Sequence, residues 1–294
     1  MFYRRKVILG LIELLGGEVE KLRLQKLLFL YAMKKQNPEY DFVPCKFGCY
    51  SYSAKADMDT MVKKGYISET VNKYDKSDTV SYFQKLKIED ARILQEVVSD
   101  YGAMSSNALI KHTYLNFPFY AIKSTIARDL LPVELYERVE KAIPKDEETT
   151  LFTIGYEGIS LEMYLQKLVK NNVKLLVDVR KNPLSMKFGF SKTLLKRYCN
   201  SLDIAYLHIP EVGISADKRQ KLETQADYDR LFTDYRKTTL SETSVHQKEI
   251  FDLLKKHKRI ALTCFEAEPC QCHRSHLAEA IAKSPDFNYS LKHL

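Results

Sequence analysis

From residue 150 onward the chain alternates short apolar runs with amphipathic stretches, and this alternation limits the fold more than any other feature. Residues 151–154, 174–179, 205–209 and 259–264 are short runs rich in Leu, Val and Ile. Between them apolar residues recur at helical spacing. Leu161, Tyr164, Leu165 and Leu168 form one stripe, opened by Ser160 as a cap; Leu194, Leu195 and Tyr198 form another, opened by Ser191. Further helices are expected at 228–237, 245–256 and 273–283. Apolar strands separated by helices belong to a parallel sheet covered on both faces. Residues 150–294 are therefore predicted to form a Rossmann-like α/β domain.

The first half has a different style. Leu24, Leu27, Leu28 and Tyr31 make a helical stripe, which Asn37–Pro38 stops. Residues 43–52 read as a short extended turn. A helix over 54–64 closes at Gly65. Two extended segments flank a polar tip at Lys73–Asp78, a predicted hairpin. Helices follow at 88–100, 105–114 and 133–141. This order suggests a mainly helical, winged-helix-like domain over 1–145, joined to the second by the polar, proline-opened stretch after Ile143.

The 294 residues suffice for two cores. No apolar run approaches the ~18 residues of a membrane span, and the basic start followed by an apolar stretch is interrupted by Glu13, Glu18 and Glu20, so it reads as a first helix. No membrane association is expected. Six cysteines without a disulfide framework point to a reducing, cytoplasmic location. A net charge of +8 permits a polyanionic partner.

In open α/β sheets ligands bind outside the carboxyl ends of the strands, and this chain concentrates its reactive groups there. The first strand ends in Gly155, Tyr156, Glu157 and Gly158, where glycine permits close backbone approach. The second ends in Asp178, Val179 and Arg180. Alternation places Asp178 and Arg180 on one face, as an ion pair or as a proton carrier beside an anion-binding fork. The third ends in His208, with Glu211 beyond it; each is either hydrogen-bonded structure or a substrate contact. The fourth runs into Cys264, Phe265 and Glu266, then Cys270, Cys272, His273 and Arg274. An unpaired buried carboxylate is costly, so Glu266 is expected to meet Arg180 or Arg274. The helix opening at His273 offers its N-terminus to an anion, and Arg274 adds a bidentate fork. A Cys272 thiolate facing the pocket would be stabilised there. The candidate catalytic residues are Asp178, Cys264, Glu266 and His273. The candidate substrate contacts are Gly155, Tyr156, Glu157, Arg180, His208, Glu211, Cys272 and Arg274.

Residues 153–158, 175–183, 205–210 and 264–274 together resemble the family catalogued as domain of unknown function 488; the Cys-x-Glu … Cys-His-Arg pattern of Cys264, Glu266, Cys272, His273 and Arg274 is its most specific part. The resemblance implies a compact Rossmann-like domain with these motifs as its site, and no particular reaction. Cys270 is a departure, creating Cys-x-Cys-His. Residues 21–31, 40–51 and 63–67 resemble the phage-associated Panacea-type antitoxin domain, with Gly48–Cys49–Tyr50–Ser51 where that family has Gly-Pro-Tyr-Ser. That resemblance implies an accessory domain binding protein or nucleic acid in a phage-defence or mobile-element setting.

The expected function is an enzyme, a hydrolase or group transferase, on a nucleotide, nucleic-acid or other phosphorylated substrate. Arg180 and Arg274 would hold an anion, and Glu266 or Asp178 would act as base or nucleophile. No Gly-x-Gly-x-x-Gly or phosphate-binding loop of ATPases is present, and no cofactor is expected. Thiol chemistry at Cys264 or Cys272 with His273 as base is an alternative. So are a zinc site of Cys264, Cys270, Cys272 and His273 and a non-catalytic nucleotide-sensing or nucleic-acid- or protein-binding regulator.

Overall fold

Apolar side chains on either side of Ile143 condense separately. The computed structural model describes residues 1–215, 218 and 222–294, which divide into the compact units Met1–Ile143 and Pro144–Leu294. No helix among the described residues is long and apolar enough to cross a membrane.

The N-terminal unit runs α1 (Tyr3–Leu14), β1 (Glu18–Glu20), α2 (Lys21–Met33), β2 (Val43–Cys45), β3 (Gly48–Tyr50), α3 (Tyr52–Lys63), β4 (Ile67–Glu69), β5 (Lys73–Lys76), α4 (Ile88–Tyr101), α5 (Ser106–Asn116), α6 (Ala127–Leu130) and α7 (Val133–Ala142). Helix α2 is buried on nearly every side, including Gln25 and Lys26. These two polar side chains are accommodated because they pair with the β2–β3 hairpin: Lys26 donates to the Cys49 carbonyl at 2.9 Å, and Gln25 exchanges bonds with the Ser51 backbone. The two stretches 21–31 and 40–51 are thus one packing unit. The segment 43–52 is this hairpin followed by the start of α3, where Ser51 caps the helix by accepting from the Ala54 N–H.

The hairpin expected around Lys73–Asp78 exists, but its tip is elsewhere. Strands β4 and β5 pair antiparallel across Thr70–Asn72, and Lys73–Lys76 is itself a strand, flanked by β1 in the order β1–β5–β4. Tyr74 explains the shift. It is 1% exposed, so alternation turns Tyr74 inward and its polar neighbours outward, while Val71 at the tip is 87% exposed.

The C-terminal unit runs β6 (Thr150–Gly155), α8 (Leu161–Lys170), β7 (Leu175–Asp178), α9 (Lys192–Asn200), β8 (Ala205–His208), α10 (Gln225–Lys237), α11 (Thr239–Glu242), α12 (Ser244–His257), β9 (Arg259–Cys264), α13 (His273–Ala282) and β10 (Ser290–His293). The five strands are all parallel, in the order β10–β6–β9–β7–β8. Every residue of β6, β7 and β9 is buried, as expected for a sheet covered on both faces. Leu151, Leu175, Val177, Ile260 and Leu262 point to one face, against Phe232 and Tyr235 of α10, Ile250 and Leu254 of α12 and Leu277 and Ile281 of α13. Helix α8 covers the other face, where the Tyr164 hydroxyl donates to Thr263 Oγ1 at 2.7 Å.

Ser160 caps α8 as expected, accepting from the Met163 N–H at 3.1 Å. Ser191 precedes α9 but makes no side-chain cap; its hydroxyl donates to the Ser185 carbonyl, holding the loop instead. Strand β10 was not anticipated: its Lys292 and His293 are exposed, and a half-covered edge strand carries little apolar signal.

Candidate functional site

Register gathers the strand ends at one level of the sheet. Gly155 of β6 pairs with Cys264 of β9, and Asp178 of β7 lies between Thr263 of β9 and His208 of β8. Beyond β9 the chain crosses directly over β6. The Tyr156 and Glu157 N–H groups both donate to the Phe265 carbonyl, at 3.0 and 2.9 Å. Gly155 permits this crossing, since a Cβ there would sit 1.8 Å from the Glu266 carbonyl oxygen. Glu157 is exposed and braces the same crossing, accepting from the Ala267 N–H at 3.1 Å.

Asp178 and Arg180 form a buried bidentate ion pair. Arg180 Nε donates to Asp178 Oδ1 at 2.8 Å and Nη2 to Oδ2 at 2.6 Å. Arg180 also reaches the Tyr156 hydroxyl at 2.8 Å and the Phe190 carbonyl at 2.9 Å, and the Tyr206 hydroxyl donates to Asp178 Oδ2 at 2.6 Å. Asp178 is 0% and Arg180 5% exposed. Burial alone would disfavour the guanidinium charge, but the Asp178 contacts outweigh it and hold the Arg180 pKa above its ordinary value. Of the two readings of this strand end, the ion pair describes its geometry. His208 is half-buried: Nε2 lies 2.8 Å from the Arg180 carbonyl and Nδ1 3.1 Å from Lys192 Nζ. A carbonyl only accepts and an ammonium only donates, so these two contacts suit the tautomer with Nε2–H facing the Arg180 carbonyl.

The second cluster lies where β9 meets α13. Cys264 continues the alternation of Ile260 and Leu262, so it faces α13. Its sulfur lies 3.1 Å from Glu266 Oε2 and 3.6 Å from His273 Nδ1. His273 Nε2 lies 3.0 Å from the Val179 carbonyl. Cys264, Cys272 and His273, all buried, bring their ligand atoms within 4.8 Å of one another. Burial pushes the Cys272 thiol well above its ordinary pKa, reinforced by Cys264 and Glu266. A thiolate was expected only for a Cys272 facing the pocket; Cys272 is fully buried. Glu266 is half-buried. Arg274 grips the Glu266 and Ala267 main-chain carbonyls, the latter at 2.8 Å, and is 1% exposed. Its fork fastens the loop from within, where an anion-binding role had been expected.

The two clusters share a cleft of about 310 Å3, lined by Tyr156, Arg180, Lys181, Asn182, Leu184, Ser185, Ile214, Cys264 and Phe265. Gly213 lets the chain after β8 lie against Lys181, since a Cβ there would meet the Lys181 nitrogen at 2.3 Å. Glu211 is exposed on the 3-10 turn after β8 and lies outside this lining, as does the exposed Cys270. Several contributors had no sequence signal. Lys187 donates to the Tyr156 carbonyl at 2.6 Å, with its ammonium pKa lowered by burial, and Phe190 stacks on Tyr156 at 4.2 Å. Both sit on a loop without periodicity. Tyr206 was findable, because it shares a strand face with His208, next to Asp178.

Residues 160–281 match the family model described as Domain of unknown function DUF488. That span contains both clusters apart from Tyr156 and leaves β6 and the Gly155 turn outside. Comparison with curated proteins finds no match.

Proposed function

We propose that residues 144–294 form an enzyme, a hydrolase or group transferase, acting on a nucleotide or other phosphorylated substrate held in the strand-end cleft. One observation carries the reading: a thiol in contact with both a carboxylate and an imidazole opens onto the same small cleft as Lys181 and Arg180. The volume is at the small end of ligand pockets, suited to a single nucleotide unit. Lys181 supplies charge for a phosphate, and Phe265, 43% exposed at the cleft, offers a ring face to a base. Glu266 lies outside the cleft lining but touches it through Cys264 Sγ, 3.1 Å away, and is proposed as the general acid–base from there. Asp178 and Arg274 act as positioning residues, since their polar atoms hold the strand end and the loop.

The N-terminal unit is proposed as a winged-helix-like accessory domain of the Panacea type, working in the cytoplasm in a phage-defence or mobile-element setting. Its three leading helices, with the β1–β5–β4 sheet, support the winged-helix reading. Lys73 pairs with Glu18 at 3.0 Å and Lys76 with Asp78 at 2.8 Å, so the hairpin lysines are already engaged.

The test is the melting temperature of the full chain with nucleotides, short DNA and RNA, and inorganic phosphate. A ligand that binds only the folded state raises the midpoint. A rise with a nucleotide or nucleic acid, lost in Lys181→Glu and Phe265→Ala whose unliganded midpoints are unchanged, is expected. No rise with any of these ligands overturns the substrate class.

A further inference from the structure

We propose that Cys264, Cys272 and His273 bind one divalent cation of the zinc class, with the fourth coordination position open beside Glu266. The inference stands on donor geometry and is independent of the enzymatic reading. In a tetrahedral zinc site with Zn–S near 2.3 Å and Zn–N of about 2.0–2.1 Å, a sulfur and a nitrogen ligand lie about 3.6 Å apart. Cys264 Sγ and His273 Nδ1 are 3.6 Å apart, and the Cys272 sulfur completes a triad whose members all lie within 4.8 Å.

The imidazole is oriented for this task. Its Nε2 faces the Val179 carbonyl at 3.0 Å. A carbonyl only accepts, so Nε2 carries the proton and Nδ1 presents a lone pair to the two sulfurs. Ligating histidines are held in this way, by donating the other ring N–H to an acceptor. Neighbouring residues seldom aim at one ion, but here the backbone changes course between them. Cys272 is extended, with φ −135° and ψ 134°, and His273 is the first residue of α13. The break in periodicity brings the two side chains to one point. Cys270, the fourth ligand suggested by spacing, is exposed and outside the triad.

Glu266 Oε2 lies 3.1 Å from Cys264 Sγ, adjacent to the ion's position. Three N/S ligands with an open position are the arrangement of catalytic zinc sites. In zinc deaminases a His/Cys/Cys-held zinc works with a non-ligating Glu as acid–base; an ion held here would supply water activation of that kind. Binding releases the two thiol protons to solvent, so two thiolates balance the cation's charge. Cys264 lines the cleft, which gives the ion access to it.

The experiment measures metal content of the full chain after zinc loading and dialysis, and the absorption spectrum after cobalt(II) replaces zinc. Equimolar zinc and an intense thiolate-to-cobalt charge-transfer band are expected, retained in Cys270→Ser and lost in Cys272→Ser and His273→Ala. Circular dichroism reports whether each variant folds. Should the buried variants misfold, the wild type decides alone: a folded chain that takes up no zinc and shows no cobalt–thiolate band overturns the proposal. So does a folded Cys272→Ser/His273→Ala double variant that still holds equimolar metal.

Discussion

Replacing Arg180 by Ala strands a carboxylate that has no route to water. Asp178 is fully buried, and Arg180 supplies two of its charged contacts, at 2.8 and 2.6 Å. Removing one partner of such a pair costs about 3–5 kcal/mol, because the remaining charge stays desolvated. The Tyr156 hydroxyl and the Phe190 carbonyl lose their contacts to Arg180 at the same time. A unit of this size loses about 2–4 °C of midpoint per kcal/mol. The transition carrying the C-terminal unit is therefore expected to fall by roughly 6–20 °C in calorimetry of the full chain. The control is the double variant Asp178→Asn/Arg180→Met, which removes both charges and keeps most of the volume. It is expected to lie nearer the wild type than the single variant, since a buried pair contributes less than the penalty for breaking it. A single-variant loss below about 1 kcal/mol, the scale of an ordinary hydrogen bond, would refute the strut. So would a double variant no more stable than the single one.

Other outcomes follow from the same bookkeeping of buried charge. Arg274→Ala removes two charged hydrogen bonds to the Glu266 and Ala267 carbonyls and is expected to cost roughly 2–4 kcal/mol, read as a lower urea midpoint; an unchanged midpoint would free Arg274 for ligand binding. In the N-terminal unit Asp90 is 2% exposed, and burial would raise its carboxyl pKa. Lys35, Tyr3 and Tyr31 outweigh that and hold it below the usual carboxylate range. A folded pKa below the unfolded value stabilises above the ordinary carboxylate pKa of about 4 and is lost as pH falls through the folded value. Asp90→Asn is expected to lower the urea midpoint at neutral pH, and the gap to wild type should close in acid; a gap independent of pH would contradict the assignment.

The parts of the fold legible in the sequence were those with a clear apolar run or helical stripe, including the run at 205–209 that became the less buried β8. The runs at 151–154 and 259–264 became β6 and β9, with every residue inside. Elements lacking such a signal were misplaced or missed. Strand β10 exposes half its residues, and the N-terminal hairpin hid Tyr74 among lysines and aspartates. At the candidate site, residue types pointed to the strand ends, while burial and direction set what each polar atom touches. Arg180 and Arg274 carry the fork that suits an anion, yet each spends it on protein oxygens. Spacing offered four zinc ligands, and the exposure of Cys270 on its 3-10 turn separates it from the three that meet. A loop such as 181–191 has no period from which Lys187 or Phe190 could have been read.

Glu266 is proposed to move a proton in a reaction carried out within the strand-end cleft. The most direct measurement incubates wild type and Glu266→Gln with the ligand that raises the melting temperature, zinc-loaded and metal-free in parallel, and follows products by mass spectrometry. A new product is expected from wild type and none from Glu266→Gln, while the variant keeps the ligand-induced rise in midpoint. Equal turnover by Glu266→Gln, or a bound ligand that wild type leaves unchanged under every metal condition, would contradict it.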